Sequence, residues 1–145
     1  MRAVLMSIKP EWWEKILAGE KDLEIRKTVP AGGAEVPWPL RVLVYVSGTG
    51  AVLGQFTCPG WTRTNFMPYL SRRACVPTED LERYAAGKQL YGWMVEEPEA
   101  FQKPCGLEEY GLRRPPVSWQ YIEIPDEKQS EVRRGEFYHP VGQAF

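Results

Sequence analysis

Ser7-Ile8-Lys9-Pro10-Glu11-Trp12-Trp13-Glu14-Lys15-Ile16-Leu17-Ala18-Gly19-Glu20-Lys21-Asp22-Leu23-Glu24-Ile25-Arg26-Lys27 reads as a short helix, a glycine stop and a strand. Pro10 suits the first helical turn, where its missing N–H is not needed and its fixed φ is pre-organised. Trp12/Ile16 and Trp13/Leu17, four residues apart, lay an apolar stripe along the helix, and Glu11/Lys15 pair on its wet side. Gly19 is placed to end the helix in a left-handed conformation. A helix of about ten residues does not stand alone in water, so its tryptophan stripe must cover something. Beyond the stop, Leu23 and Ile25 alternate with Glu24 and Arg26, as in a half-buried strand.

Outward from this stretch, Ala3 to Ile8 is an apolar run suited to a buried strand early in a sheet. Thr28 to Pro39 reads as a loop, and Leu40 to Val46 as a strand. Ser47-Gly48-Thr49-Gly50 joins that strand to Ala51–Cys58 as a hairpin, with Gly54 marking a bulge or corner. Pro59 to Pro77 is ambiguous, with room for a short helix. Thr78 is placed to N-cap a helix over Glu79 to Ala86, with Gly87 as its stop. Leu90 to Glu96 reads as a strand that Glu99 to Lys103 extends or follows. A helical turn at Leu107–Tyr110, a loop at Arg113–Pro116 and a last strand from Ser118 to Ile124 complete the pattern. Residues 125–145 read as a tail beyond a single domain of residues 1–124. The expected fold is α+β, mainly β: a small barrel of five or six strands with peripheral short helices.

A chain of 145 residues is long enough for one domain with a substantial core. Its net charge of −1 supplies no long-range attraction to polyanions, which counts against long duplex DNA and leaves only local nucleic-acid contacts. Cys58, Cys75 and Cys105 are odd in number and lack Cys-x-x-Cys spacing, so they read as free thiols in a reducing cytoplasm, with neither a disulfide framework nor a metal site. No apolar run is long enough for a membrane span, and nothing calls for a cofactor.

Lys21, Glu24 and Arg26 are the candidate functional cluster. On a regular strand Glu24 and Arg26 share a face, whereas Lys21 has the wrong parity and joins them only if the turn after Gly19 rotates it. Arg26 would offer a fork to phosphate or a carbonyl edge. A lysine held near other cations would have a lowered pKa and act as base or amine nucleophile, and Glu24 would accept from an exocyclic amine or move a proton. A solvent-facing strand with self-paired charges explains the same spacing, so the residues alone leave both readings open. Trp61, Trp93 and Trp119 are candidates for base stacking or for core packing. Arg72-Arg73 and Arg113-Arg114 are loop pairs suited to phosphate or to solvation. The single histidine, His139, lies in the tail and supports no catalytic triad.

Gly19, Lys21, Glu24 and Arg26 stand as Gly-x-Lys-x-x-Glu-x-Arg after a short helix, and this resembles the ASCH domain family of the PUA-like superfamily. Ser7-Ile8-Lys9-Pro10, Tyr91-Gly92-Trp93 and Pro115-Pro116-Val117-Ser118-Trp119 look like segments of its small bacterial and phage members, so the resemblance runs from Met1 to about Glu123. It implies a PUA-like barrel with a charged cleft beside the first helix that binds RNA or a nucleotide. Lys21, Glu24 and Arg26 would face the cleft, Ser7 and Lys9 would edge it, and Trp93 and Ser118 would count as ligand-binding. One branch of the family resembles amidohydrolases that deacylate N4-acetylcytidine, with the motif Gly-x-Lys-Thr-x-Thr-x-Arg. Here Lys21 matches, but Asp22 and Glu24 replace the two threonines, which removes the hydroxyl. A second branch is linked to ribonuclease activity. If the chain is an enzyme, Lys21 and Glu24 are its catalytic pair. Three functions follow: an RNA- or nucleotide-binding module, a hydrolase of a modified nucleoside or of RNA, and a regulatory or adaptor protein.

Overall fold

The computed structural model describes residues 1–30 and 38–124, and the backbone of 137–138. The elements in chain order are β1 (Arg2–Ile8), α1 (Pro10–Leu17), β2 (Leu23–Arg26), β3 (Leu40–Val46), β4 (Ala51–Cys58) and β5 (Trp61–Thr64). There follow α2 (Met67–Ala74), α3 (Thr78–Ala85), β6 (Leu90–Met94), β7 (Glu96–Gly106), a 3-10 turn (Leu107–Tyr110), β8 (Trp119–Glu123) and β9 (Phe137–Tyr138).

The strands form two sheets. The larger has the order β8-β1-β3-β4-β7-β9, and the smaller β2-β6-β5. The architecture is mainly β with short peripheral helices, as the sequence predicts, although neither sheet closes on itself, so "barrel" describes it loosely. β1 and β3 pair in parallel, from Val4↔Val42 to Ile8↔Val46, with α1 and β2 lying between them in sequence. All other pairings in both sheets are antiparallel.

The apolar run of β1 follows from its central place. Val4, Met6 and Ile8 face a core shared with Trp13, Ile16, Phe56 and Trp93, whereas Ala3 and Leu5 face a second core with Leu43, Phe101 and Ile122. A strand buried on both faces has no polar position to alternate with. A third cluster packs Leu23 of β2 against Met67 and Leu70 of α2 and Leu81 and Ala85 of α3.

Several local expectations shift. Thr78 is the first helical residue of α3 rather than its cap; Pro77 takes the cap position, and Ala86 ends the helix in the left-handed region. Of the two readings of the stretch from Leu90 to Lys103, an extension or a following strand, the second holds: β6 lies in the small sheet and β7 in the large one. β5 and α2 occupy the ambiguous stretch 59–77. The hairpin of β3 and β4 forms as predicted, with the register shifting beside Gly54. Most of the tail at 125–145 lies outside the described residues; its residues Phe137–Tyr138 pair with Phe101 and Ala100 at the edge of the large sheet. Cys58, Cys75 and Cys105 are free thiols. Burial pushes the Cys58 thiol up to about 12.

Candidate functional site: a charged cleft beside the first helix

Three backbone hydrogen bonds decide where Lys21 goes. Gly19 N–H donates to Ile16 O at 3.0 Å and Glu20 N–H to Lys15 O at 3.0 Å, the paired contacts of a Schellman stop. Lys21 N–H also reaches Lys15 O, at 3.1 Å. Gly19 adopts φ +78°, which a residue without Cβ does at little cost. The chain therefore leaves α1 turned through a tight bend, and Lys21 swings onto the face of Glu24 despite its parity. Asp22 then ties the bend to α2: its N–H donates to Arg73 O at 3.1 Å, and its carboxylate accepts from Arg73 Nε at 2.9 Å.

The three charged groups form one buried line. Lys21 Nζ lies 3.4 Å from Glu24 Oε1, and Arg26 Nη2 lies 2.7 Å from Glu24 Oε2. Lys21 and Glu24 are 3% and 5% exposed, the only buried charged residues among those described. Lys21 Nζ also donates to Ala74 O at 2.8 Å and lies 5.2 Å from the Trp12 ring. Burial holds its pKa below the usual lysine value, against the opposing pull of Glu24. Glu24 Oε1 accepts no hydrogen bond among the described residues, so its only close partner is the Lys21 charge.

Arg26 works as a clamp. Its Nε donates to Glu24 Oε2 at 2.9 Å, its Nη2 to Ser7 O at 2.6 Å and its Nη1 to Ser118 Oγ at 3.0 Å. Each guanidinium nitrogen is thus committed to a protein acceptor, and no open fork is presented to a phosphate. Ser7 adds a second tie to the same loop, donating from Oγ to Pro116 O at 2.6 Å and from its backbone N–H to Ser118 O at 3.0 Å. Arg26 joins β2, the end of β1 and the loop before β8 at one point.

Above this floor opens a cleft of about 420 Å³, with Lys9 and Trp12 of the α1 side facing Asp80, Leu81 and Tyr84 of α3. Tyr84 is exposed, and the Lys27 ammonium lies 4.5 Å from its ring centroid.

The crystal structure of ASCH from Zymomonas mobilis is similar to this chain at a TM-score of 0.72, over 91% of this chain and 94% of that one, with 18% sequence identity. Structures of two single-residue variants of that protein give the same score at 17% identity. The chain has the ASCH-domain fold. No protein-family model and no curated protein matches its sequence.

Within this ASCH fold, Lys21, Glu24, Arg26 and Ser7 line the cleft together and Lys9 forms part of its rim. Ser118 touches the cluster through Arg26 but is not part of the cleft lining. Trp93 departs from expectation. It has no exposed surface, its indole N–H donates to Thr28 O at 3.0 Å, and its ring meets Trp119 edge-to-face at 5.4 Å. Paired with Glu24 across the small sheet, it is a core side chain with no surface for a ligand to touch. Trp12 and Tyr84, the aromatic walls, were not among the expected site residues. Trp12 has a weak signal: adjacent helical residues point about 100° apart, so Trp12 and Trp13 are not buried to the same depth against one core. Trp13 and Ile16 are buried in the core, while Trp12 packs against its edge and lines the cleft. Tyr84 had none, being one exposed tyrosine on a charged helix.

Among the described residues, no group of three or more His, Cys, Asp or Glu side chains is placed to hold a metal ion. No helix among them is long and apolar enough to cross a membrane.

Proposed function

We propose that this domain binds RNA or a nucleotide, with a base in the cleft between Trp12 and Tyr84. The observation that carries the reading is the buried Lys21–Glu24–Arg26 line on the floor of an open cleft with aromatic walls. Glu24 lines the cleft floor with Lys21 and Arg26, a charged floor that suits the polar edge of a base. Aromatic walls suit the faces of a base. Lys9 in the cleft lining and Lys27, whose ammonium lies beside the Tyr84 ring, offer charge to a phosphate, which the committed Arg26 does not. The three free thiols fit a reducing compartment such as the cytoplasm. The test is calorimetric titration with nucleoside monophosphates and a short single-stranded RNA. The parent protein should bind saturably, and Arg26→Ala, which frees the carboxylate from its clamp, should bind about tenfold more weakly below its melting temperature. Equal binding by the two removes the proposal.

One observation favours a second reading, hydrolysis of a modified nucleoside such as an N4-acylcytidine, or of RNA. The Lys21 amine has a lowered pKa and sits 3.4 Å from a carboxylate, the arrangement of a base or nucleophile with a proton partner. Incubation with N4-acylcytidine and with labelled RNA should show turnover that Lys21→Met abolishes; no turnover at high protein concentration retires the idea. An adaptor role, which a closed cleft would favour, draws no support from this open one with Lys21, Glu24 and Arg26 in its lining.

A further inference from the structure

The small sheet carries a second aromatic and basic patch at its outer strand, β5, on the same side of the sheet as Arg26. Among the described residues β5 has β6 on one side only, and its register with β6 pairs Trp61 with Trp93 and Arg63 with Tyr91. Directly paired residues point to the same side of a sheet, and Arg26 of β2 is paired to that same Tyr91. Arg26, Tyr91 and Arg63 therefore form one row across three strands, which carries the outer face to within about 10 Å of the cleft floor, two strand spacings.

On that outer strand the rings are uncovered. Trp61 is 42% exposed and Phe66, just after the strand, is 63% exposed. Trp61 meets Tyr91 edge-to-face at 5.3 Å, and the Arg63 guanidinium lies 5.2 Å from the Tyr91 centroid. Between β5 and α2 runs a shallow groove of about 670 Å³ lined by Thr62, Arg63, Phe66, Tyr69 and Arg72. Residues 59–77 hold Arg63, Arg72 and Arg73 and no Asp or Glu, in a chain whose net charge is −1. Arg73 is taken by Asp22, but Arg63 and Arg72 are exposed and make no ion pair among the described residues.

We infer that Trp61, Arg63, Phe66 and Arg72 form a docking track for single-stranded RNA, separate from the cleft. The occupant follows from the chemistry of the patch. Exposed rings offer faces on which unpaired bases stack, and duplexes keep those faces to themselves. Arginines without acidic neighbours complement phosphate, and their planar heads stack as well as pair. An acid-free segment in a slightly acidic chain concentrates positive potential at this one edge. The track extends the reading of the cleft without depending on it.

The test is fluorescence polarisation of a labelled single-stranded RNA of about ten nucleotides against the full chain, at two salt concentrations. All four side chains are exposed, so the substitutions leave the fold intact. Trp61→Ala and Phe66→Ala should each weaken binding about tenfold, the scale of one lost stack. Arg63→Glu with Arg72→Glu should weaken it further and flatten its salt dependence, while mononucleotide binding at the cleft stays at the parent level. If the parent binds no such RNA, or if the track variants bind it as the parent does, the inference falls. If binding survives the track substitutions and is lost with Arg26→Ala, the strand is held by the cleft alone; the track fails and the proposed function stands. Equal competition by a duplex of the same sequence also overturns it, as does binding of an acidic protein in place of RNA.

Discussion

Glu24→Ala is expected to destabilise the domain by about 3–5 kcal/mol, the range for removing one partner of a buried ion pair. The carboxylate is the only anion between two cations. The side chains of Lys21 and Glu24 are 2% and 7% exposed, and that of Arg26 is 12% exposed. Deleting it leaves an ammonium and a guanidinium in a poorly solvated spot, held by carbonyl, hydroxyl and aromatic neighbours that carry no compensating charge. Water entering through the cleft relieves part of this, which places the expectation towards the lower end. Glu24→Gln keeps the shape and one acceptor for Arg26, so it should cost less than the alanine change. The contrast is Glu123→Ala, which removes an exposed partner of Arg2 and should move stability by about 0.5 kcal/mol or less. Chemical denaturation of the three variants and the parent decides the matter. If Glu24→Ala proves as mild as Glu123→Ala, the buried line of charges does not exist in solution.

The same geometry explains which parts of the site were legible in the sequence. Gly19, Lys21, Glu24 and Arg26 lie within eight residues, so their assembly is a local event governed by a helix stop and a four-residue strand. Such an event can be read from spacing, and the one ambiguity, the parity of Lys21, was resolved by the Gly19 bend. The role of Arg26 could not be read this way. Its partners Ser7 and Ser118 lie 19 and 92 residues away in sequence, and only the assembled fold shows that the guanidinium is already engaged. Trp93 illustrates the opposite failure. A tryptophan offers the same ring to a core or to a base, and no local signal distinguishes the two.

The fold divides along the same line. The β3–β4 hairpin and α1 are set by contacts close in sequence and match the sequence reading. The parallel pairing of β1 with β3, and the separation of β6 from β7 into different sheets, depend on partners far along the chain. β5 went unseen because Trp61-Thr62-Arg63-Thr64 alternates without a buried face of its own: Trp61 and Arg63 are exposed and Thr62 and Thr64 half-buried.

Gly54→Ala should cost about 3 kcal/mol, at the top of the range for an overpacked core, and should weaken ligand binding at the cleft along with stability. Gly54 lies in β4 where the ladder to β7 shifts register, and a Cβ there would overlap both the Glu99 carbonyl oxygen and the ring of Trp13. Neither can yield cheaply. The carbonyl belongs to a paired strand, and the ring is fully buried at the centre of the core. Moving Trp13 moves α1, and α1 carries Trp12 as well as the Schellman stop that aims Lys21. A methyl group in the middle of one sheet therefore reaches the cleft through a single helix. Gly19→Ala separates packing from backbone strain, because nothing lies within 4 Å of a Cβ built there and only its φ of +78° is at issue. That change should cost about 1 kcal/mol, the penalty of a left-handed non-glycine residue. Thermal denaturation should rank Gly54→Ala well below Gly19→Ala; the reverse order would mean that Trp13 does not rest on Gly54 and that α1 is anchored in some other way.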